Sequence, residues 1–555
     1  MSTTALKASK VQTSPFEGQK PGTSGLRKPV DTFRTPKYTE NFVQSILNAI
    51  PETELNGSTL IVGGDGRYFM SEAIRIIIQI AAANKVGKLI IGENGILSTP
   101  AVSCLIRKNK VLGGIILTAS HNPGGPEGDF GIKYNTSNGG PAPEKITSAI
   151  FDETTKITEF CLVENIDVDL SKVGCTKYDL DQRTFEVEIV DSVVDYVAFM
   201  KEIFNFPLLK SFLQSFKIVV NGMNGVTGPY LKAIVCDELG APKESTINCV
   251  PQVDFGGKHP DPNMTYAADF VELMQNSDFK FGAAFDGDGD RNMLLGEHAF
   301  FINPSDSIAV IAANADSIPY FKSRGLKGVA RSMPTSQALD RVAVGRGMEC
   351  FEVPTGWKFF GNLMDVGKVA LCGEESFGTG SDHIREKDGI WAFLAWLSIL
   401  ACTKKSVKDI IEQHWLTYGR NYYTRYDYEN VSAESGKKLI QRLRDLVKNQ
   451  TLIGKNFNGF VVKMMDDFQY TDTIDGSVSK EQGIRIMLED GSRIVFRLSG
   501  TSSTDATIRM YIEKYEPKPN LSKQAQDVLQ CLVDAGLVIS NLKDITGKEK
   551  PTVTT

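Results

Sequence analysis

Basic residues are not in surplus in this 555-residue chain: 61 Lys and Arg stand against 67 Asp and Glu, a formal charge of −6. A general nucleic-acid binder needs cations to displace counterions, so no nucleic-acid partner is expected. Long apolar runs are missing as well. The longest, Ile390 to Cys402, is 13 residues and contains Ser398. A membrane span needs about 20, so the run reads as a buried core helix and no membrane partner is expected. Cysteine is sparse and scattered. The nearest two of nine, Cys236 and Cys249, are 13 apart and no CxxC occurs, which excludes a zinc knuckle or a thioredoxin-type redox motif. The odd count and wide spacing suit buried free thiols in a reducing compartment. Met1 to Lys10 lacks the apolar core of a signal peptide, and Pro551 to Thr555 carries no lipidation or retention signal, so a cytoplasmic protein is expected. Nucleotide signatures are absent too. Neither GxxxxGK[ST] nor a GxGxxG following a strand is found, so nucleotide-dependent transfer loses its usual supports.

What is present is the composition of a globular protein, 41% hydrophobic and 23% charged, long enough for about three to five domains. Short apolar runs ending in Gly-rich turns recur: Thr59-Leu-Ile-Val-Gly-Gly-Asp-Gly-Arg67, Gly114-Ile-Ile-Leu-Thr118, Lys217-Ile-Val-Val-Asn-Gly-Met-Asn-Gly225, Phe281-Gly-Ala-Ala-Phe285 and Gly328-Val-Ala-Arg331. Strands of this kind, alternating with helical segments such as Ser71–Asn84, predict α/β units with mixed or parallel sheets covered on both faces. The runs are too degenerate to establish duplication. After about Arg420 the texture changes: Ile484–Leu488 and Arg493–Arg497 flank the turn Glu489-Asp-Gly-Ser492 and predict a hairpin in a separate α+β domain. Boundaries are placed near residues 190, 303 and 420, giving units 1–190, 191–303, 304–420 and 421–555. The first 15 residues and the last ten read as tails.

Five segments carry chemistry. Thr118-Ala-Ser120-His-Asn-Pro-Gly-Gly125 follows an apolar strand and holds a hydroxyl at a sheet edge, where ligands of α/β proteins collect. It is no nucleophile elbow, since GxSxG is absent, and Asn-Pro-Gly-Gly alone would be a plain turn. Asp286-Gly-Asp288-Gly-Asp290-Arg291 spaces three carboxylates so that they converge on one hard cation, with magnesium a better fit than calcium. Its sixth position is Arg291 rather than the Gly an EF-hand requires, and a strand precedes it. Arg497-Leu-Ser499-Gly500-Thr501-Ser-Ser503-Thr504, with Arg509 beyond it, is a candidate phosphate cradle of hydroxyls, backbone N–H groups and guanidinium forks. Thr355-Gly356-Trp-Lys358, Glu374-Glu-Ser376 and Ser381-Asp-His-Ile-Arg-Glu-Lys387-Asp388 offer sugar-type hydrogen-bonders, although the last run by itself reads as a solvated helix approach. Pro21-Gly-Thr-Ser-Gly25-Leu-Arg27-Lys28 by itself reads as a flexible basic lead-in. A serine loop, a metal loop and a distal anion cradle together point to phosphoryl transfer on a phosphorylated small molecule.

Taken in order, these motifs resemble the α-D-phosphohexomutase superfamily, and within it the eukaryotic phosphoglucomutases. The resemblance runs from Gly18 to Arg509 and includes Asn94–Cys104 and Arg331-Ser-Met-Pro-Thr-Ser336. It implies three related α/β domains with mixed sheets and a smaller C-terminal α+β domain around a central cleft. Ser120 would carry a phosphoryl group, and Mg²⁺ would be held by Asp286, Asp288, Asp290 and an oxygen of the phosphorylated Ser120. Arg291 would position that phosphate, with His121 and Lys133 as candidates for proton handling. Thr355, Gly356, Glu374 and Ser376 would hold the sugar, Arg27 and Lys387 would contact substrate, and Arg497, Ser499, Gly500, Thr501, Ser503 and Arg509 would bind the phosphate that is not transferred. The implied partner is a sugar phosphate, with glucose 1,6-bisphosphate as intermediate, and a monomer is expected. At Asn221 and Asn224 an Asp and a His are commoner, and Ser502 and Asp505 stand where glycines are familiar. A catalytically silent scaffold is the alternative, but such a chain should have lost part of the serine or metal loop, and both are complete.

Overall fold

The fold is a computed structural model that describes residues 6–22, 24–180, 183–499 and 505–555. The Gly-terminated apolar runs become the central strands of three sheets. In the first, β1 (Leu26–Pro29), β2 (Thr59–Gly64), β3 (Lys88–Ile96), β4 (Gly113–Leu117), β5 (Asp129–Thr136), β6 (Gly174–Leu180) and β7 (Arg183–Val190) lie in the order β1-β5-β4-β2-β3-β7-β6. The second holds β8 (Ile218–Asn221), β9 (Thr246–Ile247), β10 (Phe281–Phe285) and β11 (Asn292–Gly296), in the order β9-β8-β10-β11. The third holds β12 (Gly328–Ser332), β13 (Glu349–Val353), β14 (Leu371–Glu374) and β15 (Gly378–Ser381), in the order β13-β12-β14-β15.

The second and third sheets each have three parallel strands and a fourth running antiparallel at the edge. The same arrangement, β3-β2-β4-β5, forms the middle of the first sheet. The repetition that the residues leave undecided is therefore explicit in the topology. Every residue of β4 and β10 is buried, which is why these strands are continuously apolar rather than alternating.

The fourth unit is different. β16 (Arg420–Ser432), β17 (Asn456–Phe457), β18 (Phe460–Asp467), β19 (Ile484–Leu488), β20 (Arg493–Ser499), β21 (Asp505–Glu516) and β22 (Val553–Thr554) form one sheet in the order β17-β18-β19-β20-β21-β16-β22. Its pairings are antiparallel, including the hairpin β19–β20 about Glu489–Ser492. The helices Ala433–Asn449 and Ala525–Ser540 share its apolar core through Leu439, Leu443, Leu529 and Leu532.

Three expectations are corrected. The described chain ends are not free tails: Ala8–Gln12 pairs with Glu159–Val163, and β22 pairs with β16 and buries Val553. The thiols are free but not uniformly buried, since Cys175, Cys402 and Cys531 are exposed. The charged run Ser381–Asp388 is no solvated approach, because Ser381, His383, Arg385, Glu386 and Asp388 are all buried. The longest apolar run forms the helix Gly389–Thr403, buried from Gly389 to Ala401 in the largest core cluster, as a helix apolar on every side must be. Among the described residues no single helix is long and apolar enough to cross a membrane.

That core contains one costly group. Asp306, on the helix Pro304–Ala313, is buried and accepts a hydrogen bond from Trp415 Nε1 at 3.1 Å. Burial pushes its carboxyl up to about 6 from the ordinary 3.8. A raised native pKa means that ionisation is disfavoured in the folded state, so stability falls as pH rises from about 4 through about 6. Asp306→Asn is expected to stabilise the fold by roughly 2–3 kcal/mol at pH 7.5 and by almost nothing at pH 4. Thermal unfolding of both proteins at the two pH values measures this.

A candidate active site where three repeated loops meet

In each α/β unit the loop between a parallel strand and the antiparallel strand beside it carries one of the motifs. The β4–β5 loop holds Ser120, the β10–β11 loop holds Asp286 to Arg291, and the β14–β15 loop holds Glu375 and Ser376. Each loop leaves the carboxyl end of a parallel strand, the end at which ligands of α/β sheets bind. Three segments that look unrelated in sequence are thus one topological position used three times.

Ser120 is buried and has φ +55°, a left-handed conformation that a non-glycine residue holds only where its surroundings enforce it. The enforcing groups are visible. Ser120 N donates to Thr118 Oγ1 at 2.7 Å, and Thr118 Oγ1 donates to Asp65 Oδ2 at 2.6 Å. Arg67, ion-paired with Asp65 at 2.9 Å, donates to Ser120 O at 2.9 Å and to Asp129 O at 2.8 Å. Ser120 Oγ donates to Asp286 Oδ2 at 2.9 Å and lies 3.3 Å from His121 Nδ1. Burial, followed by Arg291, Arg27 and Arg509, holds the His121 imidazole well below its ordinary pKa, so the neutral ring is favoured.

Asp286, Asp288 and Asp290 are all buried, and one ligand oxygen from each lies within 4.8 Å of the others. Thr99 Oγ1 donates to Asp288 Oδ2 at 2.7 Å, Lys387 Nζ pairs with Asp290 Oδ2 at 3.0 Å, and Arg291 N donates to Asp286 Oδ1 at 3.0 Å. Asp288 Oδ1 and Asp290 Oδ1 are buried with no hydrogen-bond partner. Burial, then Asp288 and Asp290, raises the Asp286 carboxyl well above its ordinary range. Orphaned carboxylate oxygens in a cluster of like charge are what a hard divalent cation would satisfy, so the donor set fits a metal. Burial alone would push the Lys387 ammonium down, but Asp290, with Glu374 and Asp286, turns the net shift upward.

The serine and metal loops touch through a glycine. A Cβ at Gly287 would sit 2.6 Å from Ser120 O, closer than packed atoms allow. Gly287→Ala is expected to push the two loops apart, costing about 1–3 kcal/mol of stability and at least about a hundredfold in turnover, since near-ångström misplacement carries that penalty. Thermal unfolding and steady-state kinetics measure the two effects.

Above this floor is a cavity of about 630 Å³. Its lining unites residues from all four units: Arg27, His121 and Lys133 from the first, Asp290 and Arg291 from the second, Thr355, Gly356, Glu374, Ser376 and Lys387 from the third, and Arg497, Ser499 and Arg509 from the fourth. Ser120, Asp286 and Asp288 lie just beneath that lining. Gly500, Thr501, Ser502 and Ser503 fall outside the described residues, as does Thr23 of the N-terminal motif. The lead-in around Arg27 is not flexible coil: β1 pairs with β5, and Arg27 is buried deeply enough that desolvation lowers its pKa. Lys133 is ion-paired with buried Glu386, which also accepts from Asn135 Nδ2 at 2.8 Å. Glu374 Oε1 accepts from Gly356 N at 3.1 Å, and burial raises its pKa. Asn224 points elsewhere, donating to Val250 O at 3.0 Å.

Several contributors carry no signal in the sequence. Asp65 and Arg67 stand in the Gly-Gly-Asp-Gly-Arg turn, which marks only the end of a strand. Glu386 stands in a run whose signal is Lys387. Arg425 and Asp427, ion-paired at 3.0 Å on β16 and lining the cavity beside Arg509, belong to no motif, nor does His259, which stacks on Tyr266 at the cavity wall.

Known proteins divide in the same way. The family profiles described as phosphoglucomutase/phosphomannomutase, alpha/beta/alpha domains I, II and III match residues 18–160, 194–299 and 304–418, and the phosphoglucomutase-1 C-terminal domain profile matches 420–552. Phosphoglucomutase-1 of Bos taurus is 56% identical over 563 aligned positions, covering 99% of this chain and 100% of that protein. Phosphoglucomutase 1 of Drosophila melanogaster is 55% identical, covering 98% and 99%. A crystal structure of the Paramecium exocytosis-sensitive phosphoprotein pp63/parafusin, described as a phosphoglucomutase in its open form, superposes with a TM-score of 0.91 at 49% identity over 100% of both chains.

Proposed function

The chain belongs to the phosphoglucomutase/phosphomannomutase family, and we infer that it is a phosphoglucomutase, an isomerase that interconverts glucose 1-phosphate and glucose 6-phosphate. The observation that carries the mechanism is the contact of Ser120 Oγ with Asp286, in a carboxylate cluster where Asp288 Oδ1 and Asp290 Oδ1 have no hydrogen-bond partner.

In this reading Ser120 carries the phosphoryl group at rest. Asp286, Asp288 and Asp290 would hold Mg²⁺, which when bound would neutralise charge on the phosphoryl oxygens. Lys387 and Arg291 surround the same oxygens with fixed positive charge, the preorganised stabilisation that phosphoryl transfer mainly requires. The Ser120 O–P bond breaks as a P–O bond forms to the free sugar hydroxyl, giving glucose 1,6-bisphosphate. The sugar hydroxyl loses its proton and Ser120 Oγ gains one. Neutral His121, 3.3 Å from that oxygen, is placed to mediate the exchange, and Lys133 borders the same floor. The intermediate turns over in the cleft, and its other phosphate returns to Ser120. Thr355, Gly356, Glu374 and Ser376 would hold sugar hydroxyls, with Arg27 touching substrate, while Arg497, Ser499 and Arg509, with Gly500, Thr501 and Ser503, would hold the idle phosphate.

Completeness of both the serine loop and the metal loop supports an enzyme rather than a silent scaffold. We further propose a cytoplasmic monomer with domain limits near residues 190, 303 and 420. Purified protein with Mg²⁺ and a trace of glucose 1,6-bisphosphate should convert glucose 1-phosphate to glucose 6-phosphate. Absence of conversion by folded, metal-loaded protein would overturn the assignment.

A further inference from the structure

The segment Arg331-Ser-Met-Pro-Thr-Ser336 has no place in the mechanism above, yet it is wholly buried. Its surroundings show why. On one face of the fourth unit's sheet, strand register aligns residues in rows across β16, β21 and β20. Tyr423, Glu513 and Arg493 form one row, Arg425, Tyr511 and Val495 the next, and Asp427, Arg509 and Arg497 the third. Successive rows are two residues apart, so all three share a face, and the first stands about 13 Å from the third. The third row is the phosphate-binding end.

The first row grips the third unit. Tyr423 Oη donates to Pro334 O at 3.0 Å, Arg493 Nη1 donates to Met333 O at 2.7 Å, and Arg493 Nη2 donates to Thr335 O. Glu513, ion-paired with Arg493, accepts from Gln337 N at 2.7 Å. The other side of the gripped segment holds the sugar-binding loop: Thr335 Oγ1 accepts from Glu375 N at 2.9 Å and shares a hydrogen bond with Ser332 Oγ at 2.7 Å. Glu375 lies between Glu374 and Ser376, both of which line the cavity. Thr335 is buried and is not itself among the lining residues. Thr335 therefore joins the two, its hydroxyl holding the sugar-binding loop and its carbonyl held by Arg493 from a strand that carries a phosphate-binding arginine.

We propose that Thr335 is a positioning residue that sets the spacing between the sugar subsite and the phosphate subsite, through its hydrogen bond to the Glu375 backbone. Each subsite is built from its own unit, so loss of the hydroxyl leaves either one intact while loosening their relative placement. A ligand that spans both subsites senses the change, and a ligand that fills one does not.

This proposal rests on the mutase reading, and the wild type separates the two: without conversion by wild type the reading itself fails. With active wild type, Thr335→Val removes the hydroxyl at nearly constant volume. The expected result is a KM for glucose 1-phosphate raised about tenfold and kcat/KM lowered about a hundredfold. The inhibition constant of inorganic phosphate should stay within about twofold, and Thr335→Ser should restore kinetics to within about threefold of wild type. Wild-type kinetics in Thr335→Val would overturn the proposal. So would phosphate inhibition weakened in parallel with KM, or a Ser variant as impaired as Val, since either marks general structural damage. If Thr335→Val does not fold, Tyr423→Phe decides: the same split at smaller size supports the proposal, and wild-type kinetics overturn it.

Discussion

Ser120→Ala is expected to lower conversion of glucose 1-phosphate by at least about ten-thousandfold, the scale of loss when a covalent nucleophile is removed. The hydroxyl bonded to the Ser120 backbone cannot substitute, because Thr118 Oγ1 is committed to Asp65 and to Ser120 N. The substitution should cost little stability, because alanine inherits the strained φ of +55° and the Asp65–Arg67 bracket still binds the backbone around it. One acceptor is left free: Asp286 loses its 2.9 Å donor. Steady-state turnover, thermal unfolding and mass spectrometry of the Ser120 peptide test the three parts together. A phosphoryl group should be found on that peptide in wild type and not in the variant. Turnover within about tenfold of wild type would remove Ser120 from its role.

Asp288→Asn should be nearly as severe, for a different reason. The amide keeps one oxygen to accept the Thr99 hydroxyl hydrogen bond, so the loop should remain closed against the first unit. What changes is charge: Asp288 Oδ1 is one of the unpartnered oxygens, and replacing it with an NH₂ group aims a donor where a cation is to be held. Magnesium affinity should fall at least about a hundredfold and turnover by a similar factor or more. Repulsion within the cluster should ease at the same time, so the metal-free variant should be no less stable than metal-free wild type. Magnesium-dependent activity and thermal shifts with and without the ion measure both effects. Unchanged magnesium dependence would remove Asp288 from the ligand set, while normal activity with no bound metal would remove the cation from the mechanism.

Some features are legible because their physics is local. Alternate carboxylates separated by glycines must face one another in a tight loop wherever that loop lies. A continuous apolar strand before Ser120 implies a sheet covered on both sides, and β4 is entirely buried. Arg497 and Arg509 pair through the hydroxyl-rich run between them, and they prove to be direct neighbours across β20 and β21. Ser381 to Asp388 misleads through the same locality. Charge in sequence looks solvated, whereas here Arg385 reaches Asp365 at 2.6 Å and Glu386 receives Lys133 from a strand 253 residues earlier. Such partners leave no trace in neighbouring residues.

The proposed reacting serine and the candidate cation loop are each written within a few consecutive residues and the α/β class in recurring apolar runs, so all three can be read without coordinates. Three other features emerge only when the chain is folded. The loops that hold Ser120, Asp286 to Arg291 and Glu375–Ser376 are one loop of a repeated sheet, Asp65 and Arg67 clamp Ser120, and Arg425 and Asp427 line the cavity beside Arg509. The physical reason is that strand register and strand order bring together residues far apart along the chain. Hydrogen bonding across a sheet sets that geometry, and composition or spacing does not record it.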